Sequence, residues 1–354
     1  MVDPRGSKVR GGAKLSDVAA AAGVHPSTAS RALNPDLAGR LSDAVVVRVR
    51  RAAEDLGYSR NGIAASLRTR QSRTIGVIVP DLTNTMFPPM FRGIEERLSA
   101  EGYSAILANS DFQPAKERAI IETFLDRRID GMILASAHLD DVRALTALAR
   151  KVPVVLLNRE MKTATISAIV ADDRQGIGLA FAHLAGLGHR RIAHIAGPQD
   201  VSTGMARREA FLACMQEAGL PADPACMPVA ASFSEAEGFR VTQGLFDAGP
   251  PPTAILAAND WLALGAIRAL EERGLRCPQD VSVTGFNDMP FADRFRPPLT
   301  TIHIPHQYMG REAAEQLLAS IRAPSAPVRR VVMASSLILR ASTAPPRAAA
   351  AGTP

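Results

Sequence analysis

From residue 75 onward, short β-rich apolar runs alternate with amphipathic helical stretches, and this alternation limits the fold more than any other feature of the chain. The strand-like runs fall at 75–79, 104–108, 131–134, 154–157, 168–170, 191–195, 254–257, 281–284 and 331–339. Helical segments between them include 91–100, 117–127, 173–187, 207–218 and 262–273. Strand–helix alternation builds right-handed βαβ units and a mostly parallel sheet. The stretch 74–340 is longer than one such core usually grows, so two lobes are expected. In open sheets of this kind ligands bind beyond the carboxyl ends of the strands, which directs attention to the loops that follow them.

The N-terminal part has a different character. Residues 14–58 lack strand patterning and read as a compact set of short helices. Within them, 15–33 is LSDVAAAAGVHPSTASRAL. Ser16 and Asp17 can cap and charge a first helix, with Val18, Ala19 and Ala22 on its apolar face. Gly23 supplies a turn of positive φ, and Pro26 suits the first turn of a second helix, where its missing N–H is not needed. Ala29, Ala32 and Leu33 face inward, leaving Ser27, Thr28, Ser30 and Arg31 outward. A helix, a glycine turn and a second helix with an outward polar face predict a helix-turn-helix, its second helix placed for the major groove. A supporting third helix is expected from Val45 to Leu56, ending at Gly57-Tyr58.

Charge agrees with a nucleic-acid role for this part. Residues 1–73 carry 13 Lys and Arg against 6 Asp and Glu, while the remainder carries 28 against 29. All the excess positive charge therefore sits in the first fifth of the chain, where neutralising phosphates would release counterions. Residues 1–13 read as a disordered arm, 59–73 (SRNGIAASLRTRQSR) as a basic connector, and the Ala- and Pro-rich 341–354 as a disordered tail.

Several function classes are disfavoured. No apolar run approaches the roughly 18 residues of a membrane span, and the basic N-terminus has no apolar stretch behind it, so a cytoplasmic location is expected. Cys214, Cys226 and Cys277 are scattered and odd in number, and His183, His189, His194 and His303 show no ligand spacing; neither a disulfide framework, a metal nor a cofactor is expected. A doubly wound sheet can host enzymes, but the phosphate loop, the nucleophile elbow and the HExxH pair are absent, and Gly176-Ile177-Gly178 lacks the third glycine or alanine of a dinucleotide fingerprint. An enzyme is therefore not expected. A secreted solute-binding protein would share the body but would lack residues 14–58 and would carry a signal peptide.

The pattern DVA…AGV…STASRALN…LGYSRNGIAASLRTRQSRTIGVIVPDLTN resembles the lactose- and purine-repressor (LacI/GalR) family, over about residues 14–340. The resemblance implies a sequence-specific DNA-binding repressor whose operator affinity is set by a small-molecule effector, a sugar or related polar metabolite. It implies an all-α helix-turn-helix head on an α/β two-lobed, periplasmic-binding-protein-like body. By that resemblance Pro26, Ser27 and Arg31 face base edges, while Thr28, Ser30, Asn34 and Ser42 make or support backbone contacts. These residue types suit those jobs, since hydroxyls and amides reach phosphate oxygens and Arg can read guanine. The connector corresponds to a hinge helix over 61–68 that folds on cognate DNA, with Leu67 as the minor-groove wedge. Ser16, Asn61, Ala64 and Arg68 complete the DNA-facing set. Two departures stand out: the 34–42 loop is about two residues longer than usual, and Val45-Val46 replaces a common Thr-Arg pair, shifting phosphate contacts toward Arg40, Arg48 and the hinge arginines.

In the body the resemblance places Asn84, Met86, Phe87, Asp111, Arg207, Phe233, Asn259, Asp260, Trp261 and Asn287 at the effector cleft. Arg207 would grip hydroxyls or carboxylates and Phe233 would stack on a ring. Asn287 replaces a common aspartate, removing a charge and adding a donor. Read from the residues alone, Phe87 and Phe233 are more often core than ligand platforms, Arg207 can pair with a carboxylate on its own helix, and Asp260 can serve as a cap. The partners implied are double-stranded operator DNA, the effector and a second copy of the chain. A homodimer is favoured over a tetramer, because no heptad pattern follows Arg340.

Overall fold

The structure, a computed structural model, describes residues 13–33, 38–58, 71–247 and 250–347. The chain forms two compact units, Met1–Ser72 and Arg73–Pro354.

The first unit contains α1 (Leu15–Ala21), α2 (Pro26–Ala32) and α3 (Asp43–Asp55). Lys14, and not Ser16, is the N-cap of α1; its backbone N–H donates to Asp17 Oδ2 at 2.8 Å, and Ser16 stays exposed. Gly23 turns the chain at φ +62°, a conformation that a side chain would resist. Pro26 takes the first position of α2, and His25 caps it, with Nδ1 accepting from the Ser27 N–H at 3.3 Å. The unit's core is made of small side chains: Val18, Ala19, Ala22, Ala29, Ala32, Val46, Val49, Ala52 and Ala53. α3 begins earlier than the sequence pattern indicated, with Ser42 as its N-cap, because Asp43 and Ala44 are exposed and add nothing to the apolar face that marks the helix.

The second unit begins with β1 (Thr74–Val79), α4 (Phe87–Ser99), β2 (Ser104–Asn109), α5 (Pro114–Asp126), β3 (Gly131–Leu134), α6 (Val142–Ala149), β4 (Val154–Leu157) and β5 (Ser167–Ala171). It continues through α7 (Asp173–Gly186), β6 (Ile192–Ile195), α8 (Ser202–Glu217), α9 (Glu235–Asp247), β7 (Ala254–Ala257), α10 (Asp260–Glu272), β8 (Ser282–Thr284) and β9 (Thr301–His303). It ends with α11 (His306–Arg322), β10 (Arg330–Met333) and β11 (Ser336–Ile338).

One lobe holds a parallel six-stranded sheet of order β10-β5-β4-β3-β1-β2, the other a parallel three-stranded sheet of order β6-β7-β8. β9 and β11 pair antiparallel, and a bridge from Thr300 to Thr284 sets them beside the second sheet. The chain passes between the lobes at residues 172, 304–305 and 334–335. β3 (GMIL) and β4 (VVLL) are buried along their whole length, as strands covered on both faces must be. A continuous apolar cluster joins first-lobe residues such as Ile75, Ile133 and Ile169 to Ile177, Phe211, Phe286 and Ile302.

Two expectations are corrected. The single run 331–339 is two strands in different sheets: at Ser335 the backbone N–H donates to Gln175 Oε1 and the hydroxyl to Asp172 O, which turns the chain across to the second lobe. The segment 341–347, expected to be disordered, is anchored. Ser342 is fully buried; its hydroxyl accepts from the Thr300 N–H at 2.8 Å and donates to Val283 O at 2.6 Å. The Ala344 N–H donates to Ser282 Oγ at 2.9 Å. These bonds satisfy backbone groups of β8 and of residue 300 that would otherwise be buried without partners. No helix among the described residues is long and apolar enough to cross a membrane.

Candidate functional site

In the second unit, loops from the carboxyl ends of strands in both lobes converge on a cleft that opens to solvent. After β1 come Pro80, Asp81, Asn84, Met86 and Phe87; after β2, Phe112; after β4, Asn158 and Arg159. The second lobe supplies Thr203 and Arg207 from the first turns of α8, and Ser232, Phe233 and Ser234 ahead of α9. Asn259 follows β7 and Asn287 follows β8. Asn287 Nδ2 reaches Met86 Sδ at 3.7 Å, so the lobes touch at the cleft itself.

Seven of the expected lining residues are brought together there: Asn84, Met86, Phe87, Arg207, Phe233, Asn259 and Asn287. Three are not. Asp111 is exposed and turned toward Lys116 and Asn109; the next residue, Phe112, takes the lining position. Asp260 is fully buried behind the cleft, accepting from the Met289 N–H at 2.7 Å and from the Thr301 hydroxyl. Burial pushes its carboxyl up to about 7. It is not the cap of α10 either, since Asn259 Oδ1 accepts from the Leu262 N–H at 2.8 Å. Trp261 packs on the apolar core of the second lobe. Asn158 and Arg159 line the cleft without being among the expected residues, although they follow the 154–157 run just as 81–87 follows 75–79. Ser232 and Ser234 flank Phe233 and carry no sequence signal beyond that adjacency.

Arg207 is 2% exposed and held on three sides. Its Nε donates to Asp173 Oδ1 at 2.7 Å, its Nη1 to Ala258 O at 2.6 Å, and its guanidinium lies 3.8 Å from the centre of the Phe286 ring. The carboxylate partner comes from α7, not from its own helix. Burial raises the Asp173 carboxyl, and Arg207 opposes that shift by holding the charged form. The N-terminal turn of α8 can seat here because residue 204 is glycine: a Cβ would fall 1.8 Å from Pro198 O. Asn158 adopts φ +65° at the end of β4, and the Arg159 N–H folds back to Leu157 O at 2.7 Å, so consecutive side chains both reach the cleft. No group of His, Cys, Asp and Glu among the described residues is arranged to hold a metal ion, and Cys214, Cys226 and Cys277 are free.

In the first unit, Ser16, Pro26, Ser27, Arg31 and Ser42 are exposed, and Thr28 and Ser30 are half-buried. The Ser27 hydroxyl lies 2.8 Å from His25 Nδ1, so His25 both caps α2 and orients a residue of its exposed first turn. Ser42 sits exposed at the N-terminus of α3 with no side-chain capping bond. Arg48 Nε donates to Ala22 O at 2.9 Å and ties α3 to the end of α1, so part of its donor capacity serves the fold. Asn34, Asn61, Ala64, Leu67 and Arg68 lie outside the described residues.

A helix-turn-helix unit in one chain with a two-lobed α/β unit defines a class of protein: DNA-binding regulators with a periplasmic-binding-protein-like body. Residues 14–61 match the pattern of "Bacterial regulatory proteins, lacI family", and residues 181–343 match "Periplasmic binding protein-like domain". The chain is 32% identical over 335 residues to the transcriptional regulator DegA of Bacillus subtilis, covering 94% of this chain and 98% of DegA. It is likewise 32% identical to the transcriptional repressor CytR of Escherichia coli, covering 94% and 96%. Among solved structures, the lac repressor dimer bound to operator and the anti-inducer ONPF aligns with a TM-score of 0.82 at 27% identity, covering 94% of this chain and 99% of that one. The regulator CelR in complex with cellobiose aligns with a TM-score of 0.72 at 30% identity, covering 93% and 99%. This chain belongs to the lacI family of bacterial transcription regulators, as its sequence motifs indicated, and its relatives are regulators and not enzymes.

Proposed function

We propose that this regulator acts as a repressor: as a homodimer it grips a two-fold-symmetric operator through α2, and a small polyhydroxylated metabolite in the cleft sets its affinity for that operator. The observation that carries the reading is the cleft, where polar and aromatic side chains from both lobes converge in the same chain as a helix-turn-helix. The lac repressor was solved as a dimer on operator, CelR with cellobiose, and an Enterococcus faecium family member with ribose, which supports operator DNA and a sugar-like effector as partners here. Pro26, Ser27 and Arg31 are assigned to base edges, and Thr28, Ser30, Asn34 and Ser42 to the backbone. Leu67 is assigned to the minor-groove wedge within the 61–68 hinge, and Ser16, Asn61, Ala64 and Arg68 complete the DNA-facing set. The effector, bridging the lobes, would change their mutual angle and through the connector the DNA grip; by linkage, operator DNA shifts effector affinity by the same factor.

Selection of binding sites from a random duplex library with the full chain, followed by retention measured against salt, tests the reading. A palindromic consensus and a binding constant that falls steeply with salt are expected. Retention that is equal on all sequences at every salt concentration refutes it. On the selected site, Leu67→Ala should weaken specific binding far more than non-specific binding; equal losses remove Leu67 from the wedge.

A further inference from the structure

We infer that the effector is an anion: a polyhydroxylated molecule whose carboxylate or phosphate is bound by Arg159. The inference rests on the cleft being the effector site and goes on to name the chemistry that site selects. Arg159 borders the cleft, is only 4% exposed, and has neither Nε nor Nη1 bonded to any group of the protein. It contrasts with Arg207, the other buried guanidinium there, whose charge is met by Asp173 at 2.7 Å. A buried cation without a carboxylate partner is costly, and proteins rarely leave one unless a ligand completes the pair.

The nearby acids do not complete it. Asp200 and Glu117 act on Arg159 only through space; both line a neighbouring cavity. Asp200 is largely exposed and pairs with His138 Nδ1 at 3.1 Å. Glu117 has its carboxyl raised by burial and makes no hydrogen bond or ion pair with Arg159. Asp81 does border the cleft, but it is partly exposed and its Oδ1 is occupied by the N–H and hydroxyl of Thr83. Burial lowers the Arg159 guanidinium to about 10, so it is still a cation at neutral pH. Two buried acceptors beside it, Asn158 Oδ1 and Asn287 Oδ1, also lack partners and call for donors such as hydroxyls. A ligand with hydroxyls and one oxyanion satisfies all of these groups; a neutral polyol leaves the charge of Arg159 unmet. Sugar acids and sugar phosphates share that chemistry.

Two measurements test the inference. The first needs no ligand: urea unfolding of the ligand-free full chain carrying Arg159→Met, read through the fluorescence of Trp261. Replacing an unmatched buried cation by an apolar side chain of similar length leaves the midpoint unchanged or raises it. A fall as large as that of Arg207→Ala, where a paired cation is removed, overturns the inference. The second is titration calorimetry of the full chain with matched sets: glucose, gluconate, glucuronate and glucose 6-phosphate, and the corresponding ribose series. An acid or phosphate ester should bind at least ~100-fold more tightly than its neutral parent, the scale of a desolvated charge contact. Arg159→Gln should abolish that margin, and Arg159→Lys should retain part of it. Preference within a set for the acid or for the ester identifies the oxyanion. A neutral parent that binds as tightly as its charged forms, unaffected by Arg159→Gln but lost in Asn287→Ala, overturns the inference and leaves the cleft as the effector site. Binding that survives Arg159→Gln, Asn287→Ala and Arg207→Ala alike removes both readings.

Discussion

Gly204→Ala measures how tightly the cleft depends on one close approach of backbone to backbone. The added methyl would lie 1.8 Å from Pro198 O, 2.8 Å from Pro198 C and 3.1 Å from Gly197 C. Ordinary contact starts near 3.4 Å, so the start of α8 must move by roughly 1.6 Å or the 197–198 loop must yield. Neither can happen by rotating a side chain, because every clashing atom is backbone. Alanine would return up to ~1 kcal/mol of helix propensity, against an overpacking cost of about 1–3 kcal/mol or more. A further loss follows at Arg207, three residues along α8, whose 2.7 Å and 2.6 Å bonds to Asp173 and Ala258 cannot both survive a shift of that size. The net expectation is a destabilisation of about 1–3 kcal/mol. Gly178→Ala in α7 and Gly244→Ala in α9 are the controls: both are helical, and a methyl at either meets nothing within 4 Å. They should be neutral or stabilising by up to ~1 kcal/mol. The assay is urea unfolding followed through Trp261, the only tryptophan, which lies in the second lobe and is silent about the first unit. If Gly204→Ala unfolds at the same or a higher urea concentration than Gly178→Ala, the close-packing argument for this site is wrong.

Arg31→Ala should relax base preference at one operator position by about 1–3 kcal/mol while leaving the salt dependence nearly intact; an unchanged preference in a binding-site selection would remove Arg31 from the readout. Arg207→Ala leaves the Asp173 carboxylate buried without its cation, and should cost about 3–5 kcal/mol in denaturant unfolding. Adding Asp173→Ser should recover part of that loss, and a double variant no better than the single one refutes the pairing. His194 and His306 are buried and their imidazoles are lowered to about 4. The unfolded chain therefore binds more protons than the folded one between about pH 4 and 6.5, and their contribution to stability is lost as pH falls through that window, on the order of 3 kcal/mol each. Asp260, raised to about 7, acts in the opposite sense over about pH 4 to 7, so the histidines are best isolated by NMR titration. Midpoints close to 6.5 would contradict their burial.

Much of this was legible from sequence because it is local. An unbroken apolar run such as 131–134 or 154–157 dictates a doubly covered strand wherever it occurs, and Gly23 followed by Pro26 dictates a turn and a helix start within a few residues. The loops after strands likewise announce themselves, and the family resemblance supplied the individual residues, seven of whose ten meet in one cleft. Tertiary structure decided what depends on partners distant in the chain. Asp260 and Trp261 adjoin Asn259, yet only Asn259 reaches the cleft, because the first turn of a helix sends successive side chains in different directions. The switch of sheets at Ser335 needs Asp172 and Gln175, some 160 residues earlier, and the anchoring of 341–347 needs residues Ser282, Val283 and Thr300. The contrast between a matched Arg207 and an unmatched Arg159 is invisible to any pattern, since charge pairing is a matter of distance in space and the sequence records only order along the chain.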